Sequence, residues 1–123
     1  GNDLGHDLKD RKKNADRINN LCEFLDQQDI DVVCAILSLF PESRNRCRKN
    51  LKKYYEVFID TDIGILKKRD AKGLYKKFEN GEINNVAGLD INFPKPEKPD
   101  LIIENNKSKK DFLEYAEKLA NIF

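Results

Sequence analysis

The sequence predicts an α/β domain with a parallel sheet flanked by helices, because short apolar runs alternate along it with amphipathic helix patterns. The run at 32–37 is continuously apolar and rich in β-branched residues, which is typical of a strand buried on both faces. The segment before it, from about Asp10 to Gln28, carries apolar residues at the spacing of one helix face. At 123 residues, the chain is expected to hold at most one domain.

The other elements are predicted from caps, prolines and apolar runs. They are a loop at 1–10, a helix from Pro41 to about Lys53, a strand at 54–60, a short helix anchored by Ile63, Ile65 and Leu66, an irregular stretch at 92–99, a strand at 101–104, and a final helix capped by Ser108. Proline suits the first turn of a helix, and serine accepts hydrogen bonds from the first amides. Because ligands of parallel sheets bind beyond the carboxyl ends of the strands, we expect the site near 38–48, 60–62 and after Glu104.

The composition narrows the classes of function. Charged residues make up 37% of the chain but nearly cancel at a net charge of +1, which argues against nucleic acid as a partner. Three cysteines without a Cys-x-x-Cys pair and a single histidine predict reduced thiols and no metal site. No apolar run approaches membrane-spanning length. We therefore expect a cytoplasmic protein that does not bind membranes.

A strongly basic segment is the main functional signal. Six lysines and arginines lie within residues 67–77, followed by Gly-Glu-Ile at 81–83 and Gly-Leu-Asp at 88–90. Such a segment is often only a solvated helix face. It can also act as a mobile lid that brings cations over phosphates and excludes water, which phosphoryl transfer requires.

The order of these residues resembles the lid of the adenylylsulfate kinase family. The resemblance continues over the whole chain, through Asp-Arg-Lys-Lys-Asn at 10–14, Ile-Leu-Ser-Leu-Phe at 36–40 and Glu-Val-Phe-Ile-Asp-Thr at 56–61. It implies a three-layer P-loop-kinase-like fold, ATP and Mg²⁺ as cofactors, and transfer of a phosphoryl group to the ribose 3′-hydroxyl of an activated nucleotide. Residues 1–123 would then form the C-terminal portion of one nucleotide-kinase domain, with the lid at about 67–92.

The resemblance also implies that a part is missing from these residues. The family's Gly-rich phosphate loop, first strand and catalytic Asp segment have no counterpart here, and the Mg²⁺ ligands are expected on that part. The family's first strand lies between the strands at 32–37 and 54–59, whereas local rules would pair these two directly. We therefore expect residues 1–123 alone to be inactive, and to fold with a complementing N-terminal segment or as a homodimer.

The second departure concerns the base of the acceptor nucleotide. Two phenylalanines that sandwich adenine in the family are replaced by His6 and Val86, and Leu39 replaces the usual proline. Losing a stacking ring costs roughly 1–3 kcal/mol per base, so a different acceptor is expected. In this respect the chain is most similar to the cytidine diphosphoramidate kinases of capsule biosynthesis. The alternatives are an adenylylsulfate kinase with a divergent pocket and a non-catalytic nucleotide-binding or interaction fragment.

The resemblance assigns roles to eight residues. Lys72 is expected to be catalytic, as an electrostatic partner of the phosphates, and to bind substrate, while Arg69 is expected to face ATP. The remaining expected contacts to the acceptor nucleotide are His6, Arg11, Asn14, Ser38, Arg44 and Val86. The alternatives are an exposed loop for His6, an exposed N-terminal turn for Arg11 and Asn14, a helix or turn cap for Ser38, and surface pairing for Arg44.

Overall fold

The computed structural model of the chain describes residues 3–123, and these form five helices and two strands. In chain order the elements are α1 (Leu8–Gln27), α2 (Pro41–Asn50), β1 (Val57–Asp60), α3 (Ile63–Arg69), α4 (Leu74–Glu79), β2 (Leu101–Glu104) and α5 (Lys109–Ala120). They belong to two compact units. The first unit comprises the residues up to Tyr55 together with Asn84–Lys95, and the second comprises Glu56–Ile83 together with Pro96–Phe123. The predicted lid is divided between them.

Helix α1 begins at Leu8, earlier than predicted, because Asp7 caps it. The Asp7 carboxylate accepts a hydrogen bond from the amide of Asp10 at 2.8 Å, which satisfies one of the free donors of the first turn. The predicted N-terminal loop therefore ends at Asp7, and its residues 1 and 2 lie outside the described part of the chain.

Helix α2 starts at Pro41 as predicted and ends at Asn50, slightly earlier than predicted. It packs on α1 through a forked ion pair, in which Arg46 donates to both carboxylate oxygens of Glu23 at 2.7 Å. Beside this pair, the buried Cys47 thiol donates to Asn19 at 3.4 Å. These contacts fix the two helices of the first unit against each other.

The prediction of a buried strand at 32–37 is wrong for this structure. The run has no strand assignment and its side chains are exposed, with Val33 at 99% of its full exposure and Cys34 also open to solvent. A strand requires a neighbour that accepts and donates its backbone hydrogen bonds, and within residues 3–123 this run has none. The direct pairing of 32–37 with 54–59 that local rules favour is likewise not formed.

The second unit contains a parallel strand pair. β1 and β2 run in register from Val57 opposite Leu101 to Asp60 opposite Glu104, and the side chain of Ile103 is 1% exposed. Helix α5 follows with the predicted Ser108 cap, which forms a reciprocal capping box with Asp111. The α/β class with parallel strands and flanking helices is therefore confirmed.

Candidate functional site

The first unit holds His6 and Val86, the two residues predicted to contact the base. His6 is exposed at the end of the N-terminal loop. Val86 is partly buried and lies in the turn formed by residues 85–90, here called the 85–90 turn. In this turn Asn85 adopts a left-handed φ of 62°, and the amides of Leu89 and Ile91 donate to the Val86 carbonyl at 3.1 and 3.2 Å. The isopropyl group of Val86 is thus carried by a tightly folded loop.

Arg11 joins the backbones of these two segments. Its Nε donates to the His6 carbonyl at 2.6 Å, and its Nη2 donates to the Asn85 carbonyl at 2.8 Å, across 74 positions of sequence. Two donor groups of this guanidinium are therefore occupied by protein acceptors. The predicted contact of Arg11 with the acceptor nucleotide stays a prediction, since these bonds do not occupy its Nη1.

Two aspartates also hold these segments, by accepting hydrogen bonds from their backbone amides. Asp90 accepts hydrogen bonds from the amides of Asn85 at 2.7 Å and Val86 at 2.6 Å. Desolvation opposes the charge of Asp90, but the backbone amides that bond to its carboxylate outweigh it and lower the pKa of this group. Asp10 accepts from the amide of Gly5 at 2.6 Å and fixes the loop before His6.

Arg44 is buried, at 8% exposure, and also binds backbone carbonyls. Its Nη1 donates to the Ser38 carbonyl at 2.8 Å and lies 3.4 Å from the Ser38 hydroxyl, while its Nη2 donates to the Pro94 carbonyl at 3.0 Å. Surface pairing is therefore excluded for Arg44. Its predicted binding of the acceptor nucleotide stays a prediction.

Ser38 is not a helix cap, since the residue at the N-cap of α2 is Phe40, which makes no side-chain cap bond. This excludes the helix cap among the structural alternatives for Ser38, while its carbonyl and hydroxyl both accept from Arg44. Asn14 is exposed on α1, one turn after Arg11. The predicted nucleotide contacts of both residues stay predictions.

In the second unit, Lys72 lies at the tip of a tight turn between α3 and α4. The turn closes through a hydrogen bond from the Gly73 amide to the Asp70 carbonyl at 2.9 Å, and Gly73 takes a left-handed φ of 65°. The Asp70 carboxylate accepts from the first amides of α4, those of Tyr75 at 3.3 Å and Lys76 at 3.1 Å. The Lys72 side chain is exposed, as its predicted role requires.

Arg69, at the end of α3, donates to the carbonyls of Asn105 at 2.9 Å and Lys107 at 2.6 Å. It lines a cavity of about 240 Å³. The other lining residues are Asn105, Lys107, Lys109 and Phe112. This cavity follows the carboxyl end of β2, where sequence reasoning expected a ligand. It offers cationic groups and one aromatic side chain.

Sequence reasoning missed the roles of Asp70, Asp90 and the carbonyl contacts of Arg11. The aspartates were visible as part of the lid pattern, but the amides that they bind lie four to six residues away and are not marked in the sequence. Within residues 3–123, no group of three or more histidine, cysteine, aspartate or glutamate side chains could hold a metal ion. The same described residues include no helix long and apolar enough to cross a membrane.

Comparisons with known proteins agree with this architecture. The sequence profile of the adenylylsulphate kinase family matches residues 1–104. An adenylyl-sulfate kinase of Clostridium acetobutylicum is 42% identical over 106 residues, which are 85% of this chain and 53% of that protein. A cytidine diphosphoramidate kinase of Campylobacter jejuni is 43% identical over 106 residues, which are 84% of this chain and 62% of that protein. The chain thus spans 53% to 62% of the length of these relatives.

Among solved structures, the APS kinase CysC of Mycobacterium tuberculosis, in complex with AMPPNP and APS, superimposes with a TM-score of 0.81 at 30% sequence identity. The match covers 97% of this chain and 71% of the other. The fold is therefore that of the P-loop kinases, a class of α/β proteins with a parallel sheet between helices. Within that class, the chain belongs to the adenylylsulphate kinase family.

Proposed function

We propose that the protein is an ATP-dependent kinase that phosphorylates the ribose 3′-hydroxyl of an activated nucleotide, and that this nucleotide is cytidine diphosphoramidate. The kinase activity rests on membership of the family. The choice of acceptor rests on one observation, the exposed His6 and partly buried Val86 in a hydrogen-bonded frame where the family has two stacking rings. An imidazole can exchange hydrogen bonds with a pyrimidine edge, which phenylalanine cannot do.

Base size favours the cytidine acceptor. An adenine stacked between two aromatic rings gains roughly 1–3 kcal/mol of binding free energy from each ring. An isopropyl group in place of a ring contributes only part of this. A pyrimidine has less surface to cover and loses less when a ring is absent. The Campylobacter jejuni relative, named as a cytidine diphosphoramidate kinase, supports this acceptor, while the adenylyl-sulfate kinase of nearly equal identity supports the alternative.

ATP, together with Mg²⁺, would supply the γ-phosphoryl group and neutralise part of its charge. We propose that the cavity beside Arg69 binds one portion of this nucleotide, and its lining supports this, since Phe112 offers an apolar ring and the lysines offer cations. Arg69 donates to the carbonyls of Asn105 and Lys107, two residues that also line the cavity.

Lys72 is proposed to stabilise charge on the phosphates. Its position at the tip of the 70–73 turn leaves the ammonium group free to approach an anion. Lys67, by contrast, pairs with Glu79 at 2.8 Å. A cation that strengthens its contact as charge develops accelerates transfer, whereas one already paired within the protein gains less.

The experiment compares kcat/KM of the full-length protein for cytidine diphosphoramidate and adenylylsulfate, with ATP as donor. We expect the cytidine acceptor to be preferred by at least tenfold, because discrimination is set by the ratio of these constants. The double variant His6→Phe, Val86→Phe should narrow the gap by about tenfold or more, since it restores the stacking rings. Leu113→Phe, which places a ring on the exposed side of α5, is the matched control.

Two results would contradict the proposal. A wild-type preference of tenfold or more for adenylylsulfate would assign the ordinary family activity to this protein. Binding of nucleotides without turnover of either acceptor would favour the non-catalytic alternative.

A further inference from the structure

Asp70 connects the end of α3 to the start of α4, on both sides of the turn that carries Lys72. Its amide donates to the Leu66 carbonyl at 3.0 Å, which attaches it to the last turn of α3. Its two carboxylate oxygens accept from the amides of Tyr75 at 3.3 Å and Lys76 at 3.1 Å. The short segment between these contacts is therefore bounded at both ends by one residue.

The same residue also closes the turn itself. The Asp70 carbonyl accepts a hydrogen bond from the Gly73 amide at 2.9 Å. Gly73 stands at the N-cap of α4 and makes no side-chain cap bond, so the carboxylate of Asp70 supplies the acceptors that this position lacks. Lys72 directly precedes Gly73 and is exposed. Its backbone position relative to α3 is therefore set through Asp70.

The negative charge of Asp70 does not explain its place beside Lys72. A carboxylate two residues from a lysine weakens the potential that would attract a phosphate to that lysine. The neighbouring guanidinium of Arg69 is directed elsewhere, at the carbonyls of Asn105 and Lys107. What the carboxylate does supply is two acceptors for the first amides of α4, which is the role of a helix cap.

We infer that Asp70 is a positioning residue, which caps α4 from the far side of the turn and thereby holds Lys72 where it can approach the phosphates. This inference rests on the proposed function of Lys72 and deepens it. A cation stabilises developing charge best when it is already in place before the reaction begins. Losing a cap shifts the equilibrium between a closed and an open turn by roughly fivefold, so a smaller fraction of molecules would present Lys72 correctly.

The test is a double-mutant cycle in the full-length protein, with kcat at saturating ATP as the readout. Asp70→Ala alone should lower kcat by roughly fivefold or more. In the Lys72→Ala background, the same change should lower kcat by less than about twofold, because a residue that acts through Lys72 has nothing left to position. A residue that acts independently of Lys72 would lower kcat by the same factor in both backgrounds.

Two further variants separate the cap from the charge and from general stability. Asp70→Asn removes the charge but keeps an acceptor of comparable capping strength, so its kcat should stay within about threefold of wild type. Asp100→Ala is the matched control. The exposed Asp100 also accepts from a backbone amide, that of Glu56 at 2.7 Å, but it precedes β2 and lies at the amino ends of the strands. Its removal should leave kcat within about twofold of wild type.

NMR relaxation of the free full-length protein tests the positioning without any acceptor. The backbone order parameter of Lys72 should be about 0.85 in the wild type and in Asp70→Asn, as in rigid backbone, and below about 0.6 in Asp70→Ala. The order parameter of Ile103, which is buried in the strand pair, should be the same in all three proteins.

These outcomes separate the inference from the proposed function. Equal losses of kcat on Asp70→Ala in both backgrounds, or an Asp70→Asn variant as impaired as Asp70→Ala, would overturn the inference. An unchanged order parameter of Lys72 in Asp70→Ala would overturn it as well. A wild-type preference for adenylylsulfate would refute the proposed acceptor alone, since the cycle can be run with either acceptor. If neither acceptor turned over, the kinase proposal would fail, and the order parameters would decide whether Asp70 holds Lys72 in place.

Discussion

The two units use the same device, an aspartate that accepts hydrogen bonds from two successive backbone amides, with different tightness. In the first unit, Asp90 holds the amides of the 85–90 turn at 2.7 and 2.6 Å. In the second, Asp70 holds the first amides of α4 at 3.3 and 3.1 Å. Because hydrogen bonds weaken as they lengthen, Asp70 holds the start of α4 less firmly than Asp90 holds the turn that carries Val86.

The cations of the two units differ in kind more than in place. Two arginines of the first unit, Arg11 and Arg44, donate to backbone carbonyls and act as internal connectors. Arg69 of the second unit does the same with the carbonyls of Asn105 and Lys107. Lys72, by contrast, is exposed at a turn tip. The comparison indicates that these arginines fix the shape of their units, whereas the charge of Lys72 is available to a ligand.

The largest effect is expected from removing the exposed charge of Lys72. Replacing Lys72 by alanine in the full-length protein should lower kcat about a hundredfold, since removing one preorganised electrostatic partner of a transition state has an effect of that order. Steady-state kinetics with saturating ATP measure it. Lys110→Ala removes an exposed lysine from α5 and serves as the control. Equal and small effects at both positions would indicate that the basic segment is only a solvated helix face.

The next largest effect is expected on stability, from removing the buried charge of Arg44. Arg44→Leu should lower the free energy of unfolding by about 2–3 kcal/mol, because two carbonyls lose a charged donor inside the protein. Urea denaturation measures the change. Arg48 is exposed and lies over the ring of Tyr54 at 5.0 Å, so Arg48→Leu should cost less than about 1 kcal/mol. If Arg44→Leu were as mild as this control, the distinction between the connecting arginines and the exposed Lys72 would fail.

The smallest effect concerns the pH dependence of the 85–90 turn. The pKa of Asp90 is lowered from its ordinary value of 3.8, so its carboxylate stabilises the turn at neutral pH. This stabilisation is complete above the ordinary value and is lost as the pH falls through the depressed one. The amide shifts of Asn85 and Val86 should therefore titrate with a midpoint below 3.8, and the transition should disappear in Asp90→Asn. A midpoint above 3.8 would contradict the assignment.

Elements with local signals were predicted well from sequence. Strand 101–104 and the start of α5 agree with the structure, because Ser108 and Asp111 carry the cap within four residues. Helix α4 was not predicted as a separate element, since the basic segment was interpreted only as a lid. The run at 32–37 has the composition of a strand, but its structure depends on a neighbour that composition does not encode.

The sequence predicted candidate site residues but not the hydrogen bonds that position them. The resemblance selected His6, Val86 and Lys72, and the structure places the first two in the first unit and the third on an exposed turn of the second. Arg11 and Arg44 each have one distant acceptor, a backbone carbonyl 74 and 50 positions away respectively. A carbonyl is present at every residue, so a long-range bond of this kind leaves no mark in the sequence.

The exposed run at 32–37 affects how the polypeptide aggregates in solution. Six successive apolar residues with unused backbone donors and acceptors form a template on which an identical run from another molecule can add as a strand. Such stacking grows with concentration and is favoured by the absence of proline and of charge within the run. The solubility of residues 1–123 as a separate polypeptide should therefore be governed by this short segment, even though more than a third of the chain is charged.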